Sequence, residues 1–184
     1  MTGGKKSPGP LAGFLAEMAG IPWFESCGCE LSPNESILAV SYVGALGIGE
    51  FPVQGVKDWR AAQTLAQDAN WHRGWWEAES AAEKALHLQG VARFGRDDFL
   101  ATLTDVTEAA SSIEIYASLA LSRAGVADQG LAKAAAGAAS QACHQAAMAR
   151  LNDPSGSHLF ARKFRLFAAG RWPLGIVQNR CFVF

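Results

Sequence analysis

The chain has 184 residues, a mass of 19.5 kDa and a formal net charge of −1. This length is typical of one domain, and it allows a sizeable apolar core without a structural metal or disulfide bonds. Hydrophobic residues make up 49% of the chain, which is too apolar for a disordered protein. The nearly balanced charge argues against general binding to nucleic acid, and the longest apolar run is too short to cross a membrane.

Alanine dominates the composition with 34 residues, whereas isoleucine, tyrosine and threonine are scarce. Because alanine is the best helix former and strands favour β-branched and aromatic residues, we expect an all-α fold. The pattern of apolar residues and breakers predicts an irregular bundle of about five or six helices. We expect residues 1–10, rich in glycine and proline, to be a flexible leader and residues 11–184 to form a single helical domain.

Capping residues and glycines predict where the helices begin and end. Ser32 and Glu35 form a capping box with Pro33 in the first turn, and Asp128 can cap a later helix. Gly90 is expected to end the helix that precedes it. The predicted helices cover 11–20, 32–46, 57–88 (whole or broken near Gly74), 98–123, 129–151 and 157–169. After them, two short apolar runs at 172–177 and 181–184 predict a C-terminal β-hairpin or an extended tail.

Charge is segregated along the chain. Residues 68–114 hold nine acidic and four basic residues, a net charge of −5, whereas residues 154–184 hold five basic residues and no acid. Either the basic segment packs on the acidic helices, or it forms a surface for an acidic partner or an anionic ligand. Arg162 and Arg165 are the binding candidates that we take from this segment.

Five polar or aromatic residues are spaced to share one helix face: His72, Trp76, Glu79, Glu83 and His87. Carboxylates and imidazoles at this spacing could supply ligands to iron, manganese or zinc if facing helices completed the site. The alternative is a solvated charged face, with Glu79 and Glu83 paired to neighbouring bases. The Glu-x-x-His pattern of di-iron bundle proteins is absent, and we assign no metal and no cofactor.

Three tryptophans lie within six residues. Trp71 and Trp75 are spaced to stack, and Trp76 falls on the charged face. Aromatic side chains of this size dominate both cores and interfaces. The cluster therefore either fills the core against the alanine-rich stretch 129–151, or lines a ligand pocket or a partner surface.

Four cysteines in a chain that needs no disulfide bonds indicate a reducing compartment, and we expect a cytoplasmic protein. Cys27 and Cys29 could bind a soft metal or undergo redox chemistry, but zinc sites usually space their cysteines differently. Cys143 and His144 are adjacent on a predicted helix and point about 100° apart, so they do not form a catalytic dyad. No hydrolase, zinc-protease or phosphate-loop motif occurs.

The leading functional hypothesis is a helical protein-binding module, such as an adaptor, a chaperone or an immunity-type inhibitor. It rests on the missing catalytic motif, the segregated charge and the tryptophans. The expected partner is another protein rather than nucleic acid or a membrane. Two alternatives stay open: a metal-dependent helical enzyme that uses the Glu/His face, and a carrier or sensor of small molecules with a tryptophan-lined pocket.

Overall fold

A computed structural model describes residues 11–184. The leader predicted for residues 1–10 lies outside the described part. The helices are α1 (Ala12–Ala19), α2 (Pro33–Ala45), α3 (Trp59–Ala66), α4 (Arg73–Phe94), α5 (Arg96–Ala110), α6 (Ile113–Arg123), α7 (Gln129–Asn152) and α8 (Leu159–Ala168). The strands are β1 (Val53–Gly55), β2 (Pro173–Val177) and β3 (Arg180–Val183). The protein is mostly helical, as the composition predicts, and carries a small strand element near its C-terminus, as the two C-terminal apolar runs predict.

Helix α7 lies at the centre of the larger apolar cluster. Asp128 caps it, since its carboxylate accepts a hydrogen bond from the Leu131 amide. Helices α4, α5, α6 and α8 all pack against α7. The small side chains of its alanines, such as Ala135 and Ala139, are fully buried and let the neighbouring helices approach closely. This explains why a helix with almost no amphipathic pattern can organise the bundle.

The C-terminal hairpin is one part of a three-stranded sheet. Strand β3 pairs antiparallel with β2 and parallel with β1, so the order is β1-β3-β2. Gln178 and Asn179 form the turn with positive φ angles. A second apolar cluster joins this sheet to α2 and α8, with Tyr42, Leu166 and Ile176 fully buried in it.

The segment 57–88 forms two helices, which is one of the two predicted alternatives, but the break lies at residues 67–72 rather than near Gly74, because this segment pairs with the sheet. Between α3 and α4, Trp71 forms a β-bridge with Val177, and the His72 amide donates to the carbonyl of Ile176 at 2.8 Å. The backbone of this segment thereby covers the outer edge of β2, which a continuous helix could not do. Sequence periodicity carries no information about such a long-range pairing.

Two further boundaries differ from the prediction. Gly90 does not end α4, which continues to Phe94. A side chain at Gly90 would collide with the ring of Phe99, so this glycine lets α5 approach α4. The helix predicted over 98–123 is divided into α5 and α6 by a turn at Ser111 and Ser112. These divisions raise the number of helices above the five or six predicted.

Candidate functional site

One interpretation of the sequence placed Glu79 on a solvated helix face, but the structure buries it. Its carboxylate is buried on the inner side of α4, and its Oε2 atom lies 2.7 Å from the Nζ atom of Lys163 on α8. The two side chains are 7% and 8% exposed. A buried ion pair of this kind requires that the remaining polar atoms of both groups find partners.

Tyr42 and Trp75 supply the partners on one side of this ion pair. The Tyr42 hydroxyl donates to Oε1 of Glu79 at 2.5 Å, and Nε1 of Trp75 donates to the same hydroxyl oxygen at 2.7 Å. Burial, followed by the nearby Glu79 carboxylate, raises the pKa of Tyr42 well above its usual value. Tyr42 therefore stays protonated and acts as a fixed hydrogen-bond donor.

Gln145 on α7 continues the chain of polar contacts. Lys163 Nζ lies 3.5 Å from Oε1 of Gln145, whose amide nitrogen donates to Oε2 of Glu83 at 2.8 Å. This chain joins α2, α4, α7 and α8, and no buried side-chain polar atom within residues 11–184 lacks a hydrogen-bond partner. Since every group is occupied by another, the arrangement stabilises and orients the helices rather than presenting a reactive group.

The helix face that could have supplied metal ligands is divided between different environments. Glu79 is committed to Lys163 and Glu83 to Gln145, while the exposed His87 packs its ring on Phe99 with centroids 5.5 Å apart. Among residues 11–184, no three histidine, cysteine or carboxylate side chains are grouped so that they could hold a metal ion. Glu83 and His87 instead line an open surface depression of about 480 Å³.

Trp71 and Trp75 are structural, but they pack on the sheet rather than on α7. Their rings stack with centroids 5.4 Å apart and 25° between planes. A Cβ atom at Gly175 of β2 would lie 2.6 Å from Trp75 and 2.7 Å from Trp71. The two rings therefore rest directly on the glycine backbone and leave no room for a ligand there. This packing removes the support for a carrier with a pocket lined by Trp71 and Trp75.

Trp76 differs from its two neighbours because 61% of its surface is exposed. Its ring meets Trp75 edge-on at 6.5 Å. One turn earlier, His72 caps α4 by accepting a hydrogen bond from the Trp75 amide, and its ring contacts Phe51 edge-on at 4.9 Å. Val40 on α2 and Phe51 line an apolar groove of about 550 Å³. We refer to Trp76, His72, Phe51 and Val40 as the Trp76 surface.

The outer edge of β1 begins next to this groove. The Pro52 carbonyl and the Val56 amide bond to β3, and successive backbone groups of a strand alternate between its two sides. The N–H and C=O groups of Val53 and Gly55 therefore point away from the sheet. No strand within the described residues pairs with this edge, in contrast to the outer edge of β2.

Arg162 and Arg165 both lie on α8. Arg162 donates to Oγ of Ser41 at 2.7 Å, and Arg165 donates to the carbonyl of Gly156 at 3.3 Å. Neither arginine pairs with a carboxylate among residues 11–184. One ion pair, between Lys163 and Glu79, joins the basic segment to the acidic one, while α8 itself packs mainly on α2 and α7.

The cysteines do not form a redox or nucleophilic site. The Cys27 thiol contacts the backbone carbonyls of Gly170 and Phe184, and burial raises its pKa to about 12. Cys29 is exposed, and Cys143 is buried with a pKa raised to about 12 by desolvation. His144 contacts Thr107 and the Ser140 carbonyl rather than a thiol.

Comparison with known proteins identifies no relative: no family model, curated protein or solved structure is significantly similar to this chain. None of the helices within the described residues is both long and apolar enough to cross a membrane. Any functional conclusion must therefore come from the surfaces and contacts of the chain itself.

The sequence analysis missed several residues that organise the structure. Tyr42 lies in an apolar stretch of the sequence and Lys163 in the basic segment, and neither was a candidate, although both bind Glu79 at the centre of the buried polar chain. Arg171 was also missed: it forms a bidentate pair with Glu35 and donates to three backbone carbonyls. The sequence signal that could have found Tyr42 and Lys163 is that each is a polar residue at the helical spacing of a buried apolar face, on α2 and α8 respectively.

Proposed function

We propose that this chain is a protein-binding module and that the Trp76 surface contacts the partner. The observation that carries the proposal is the exposure of Trp76, which lies beside two tryptophans that are packed into the fold. A large exposed aromatic side chain on a rigid helix is typical of a binding hot spot, because it loses little conformational entropy when it is buried.

The neighbouring groove and strand edge favour an extended peptide segment as the bound part of the partner. Such a segment can add to β1 through the free backbone groups of Val53 and Gly55 and place an apolar side chain against Phe51 and Val40. Main-chain hydrogen bonds then supply affinity, and the groove supplies specificity. A cytoplasmic location is part of the proposal, supported by four cysteines that are all free.

Quantitative affinity capture tests the proposal with a matched pair of variants. Trp76→Ala should remove the partner from the captured set, whereas Leu88→Ala should retain it, because Leu88 is 60% exposed on the same helix but lies outside the Trp76 surface. Far-UV circular dichroism should show both variants folded. If Trp76→Ala captures the same proteins in the same amounts as the unmodified chain, this surface is not the binding site.

A further inference from the structure

A hydroxyl group and an imidazole ring lie in direct contact where α5 packs on α7. Oγ1 of Thr107 lies 2.9 Å from Nε2 of His144, and Nδ1 of the same ring lies 2.9 Å from the Ser140 carbonyl oxygen. Because a carbonyl oxygen only accepts, Nδ1 carries the proton of the neutral ring and Nε2 is left as an acceptor. The Thr107 hydroxyl therefore donates to Nε2, which is how a nucleophile and its general base are arranged.

Thr107 differs in this respect from another exposed threonine of the same helix. The Thr104 hydroxyl donates to the Leu100 carbonyl, one turn earlier, and contacts no imidazole within residues 11–184. The corresponding carbonyl for Thr107 is that of Leu103 at 3.2 Å, and the imidazole nitrogen of His144 is closer. Thr107 is exposed and His144 is half-buried, so the hydroxyl is accessible while the ring is held in place.

Both side chains line a surface depression of about 340 Å³ between α5, α6 and α7. Its apolar lining is formed by small residues, Ala110, Ala136 and Gly137. A Cβ atom at Gly137 would meet no neighbouring atom within 4 Å, so packing does not require a glycine there. Glycine weakens a helix interior relative to alanine, the commonest residue of α7. The glycine therefore keeps the depression open at a cost to the stability of the helix.

Two charged residues complete the lining of this depression. Lys133 of α7 and Glu114 of α6 are both exposed, and neither forms an ion pair within residues 11–184. An ammonium group without a fixed partner can stabilise the oxyanion that develops when a hydroxyl attacks a carbonyl carbon. The depression thus combines a nucleophile, a base with a fixed tautomer and a cation, which are the groups that acyl transfer uses.

We infer that this depression hydrolyses esters of short-chain carboxylic acids, with Thr107 as the nucleophile and His144 as the general base. Oγ1 of Thr107 forms a bond to the acyl carbon and its proton passes to Nε2 of His144. The alkoxide leaving group takes that proton as its bond to the carbon breaks. A water molecule then attacks the acyl-threonine in the same way, releases the carboxylic acid and restores the hydroxyl. The small apolar lining favours a short acyl chain.

Two reagents test the inference on the full chain. A fluorophosphonate forms a stable bond between the attacking oxygen and phosphorus with loss of fluoride, so peptide mass spectrometry locates the label. We expect a single label, at Thr107. Hydrolysis of p-nitrophenyl acetate, followed by the released p-nitrophenolate, reports turnover. This site lies on other elements than the Trp76 surface, so Trp76→Ala should leave both readouts unchanged, and a failure of the proposed function remains distinguishable.

Matched variants separate this pair from the weak esterase activity of any surface imidazole. Thr107→Val removes the hydroxyl at nearly constant shape and should abolish the label, whereas Thr104→Val should leave it unchanged. Thr107→Ser keeps the hydroxyl and should keep the label. His144→Gln should slow labelling and turnover at least ~100-fold, while replacing the exposed His87 by glutamine should change neither.

Three results would overturn the inference. Thr107→Val could be labelled as fast as the unmodified chain, the unmodified chain could carry no label at Thr107, or His144→Gln and His87→Gln could lower turnover equally. The last result would assign the activity to exposed imidazoles in general. Far-UV circular dichroism of each variant separates a lost activity from a lost fold. If His144→Gln does not fold, the comparison of Thr107→Val with Thr107→Ser decides the question by itself.

Discussion

Replacing Lys163 by methionine should destabilise the fold strongly. The substitution removes the cation 2.7 Å from Glu79 and leaves a carboxylate whose side chain is 7% exposed, with only the Tyr42 hydroxyl as a close partner. Breaking a buried ion pair by removing one member costs about 3–5 kcal/mol. For a chain of this size, that loss lowers the melting temperature by roughly 6–20 °C. Urea unfolding followed by far-UV circular dichroism measures the free energy, provided that the slope against urea is unchanged.

Two control variants make this measurement interpretable. Arg73 and Glu77 also lie 2.6 Å apart, but both are largely exposed, so Arg73→Ala should change stability by less than ~1 kcal/mol. Adding Glu79→Gln to Lys163→Met removes the orphaned charge and should recover at least about half of the loss. If Lys163→Met costs no more than Arg73→Ala, the ion pair is not buried and the account of the polar chain is wrong.

Three further predictions follow from the packing, the ion pair of Arg171 and the cysteines. Gly175→Ala should unstack Trp71 and Trp75, because its Cβ would collide with both rings, and should cost more than ~2 kcal/mol by urea unfolding; a neutral effect contradicts this packing. Arg171 lowers the pKa of Glu35 from 4.5 to about 2, so the stability from this pair is complete above pH 4.5 and is lost as the pH falls towards 2; Glu35→Gln should show a flatter melting-temperature profile over that range, and an unchanged profile refutes the assignment. Iodoacetamide should modify Cys29 alone in the native protein, since the other thiols are shielded and the pKa values of Cys27, Cys143 and Cys181 are raised by burial; a second rapid adduct by mass spectrometry would contradict this.

Local signals in the sequence predicted the local features of the fold. The capping box at Ser32 and Glu35 is present with both hydrogen bonds, and Asp128 caps α7. The two apolar runs at 172–177 and 181–184 form a hairpin, which is one of the two alternatives predicted for them. These features depend on residues within a few positions of one another, which is why propensity and capping rules could find them.

Features that depend on distant pairing could not be predicted in the same way. Strand β1 has three residues and exists only because β3 pairs with it, and the position of the break before α4, ahead of the predicted Gly74, is set by the pairing of Trp71 with β2. The local sequence around Glu79 indicates a surface residue, because its partner Lys163 lies 84 positions later in the chain. Helical spacing correctly placed Trp76 away from its neighbours, but it could not tell which tryptophan the sheet would cover.

Site-specific photo-crosslinking tests the central claim that the Trp76 surface contacts a partner protein. A photoreactive p-benzoylphenylalanine replaces Trp76 in one version of the chain and Leu88 in another, so that two similarly exposed positions of α4 are compared in cells. The account predicts a discrete crosslinked protein from position 76 that is missing from position 88. Identical crosslinks from both positions, or none from position 76, would contradict it.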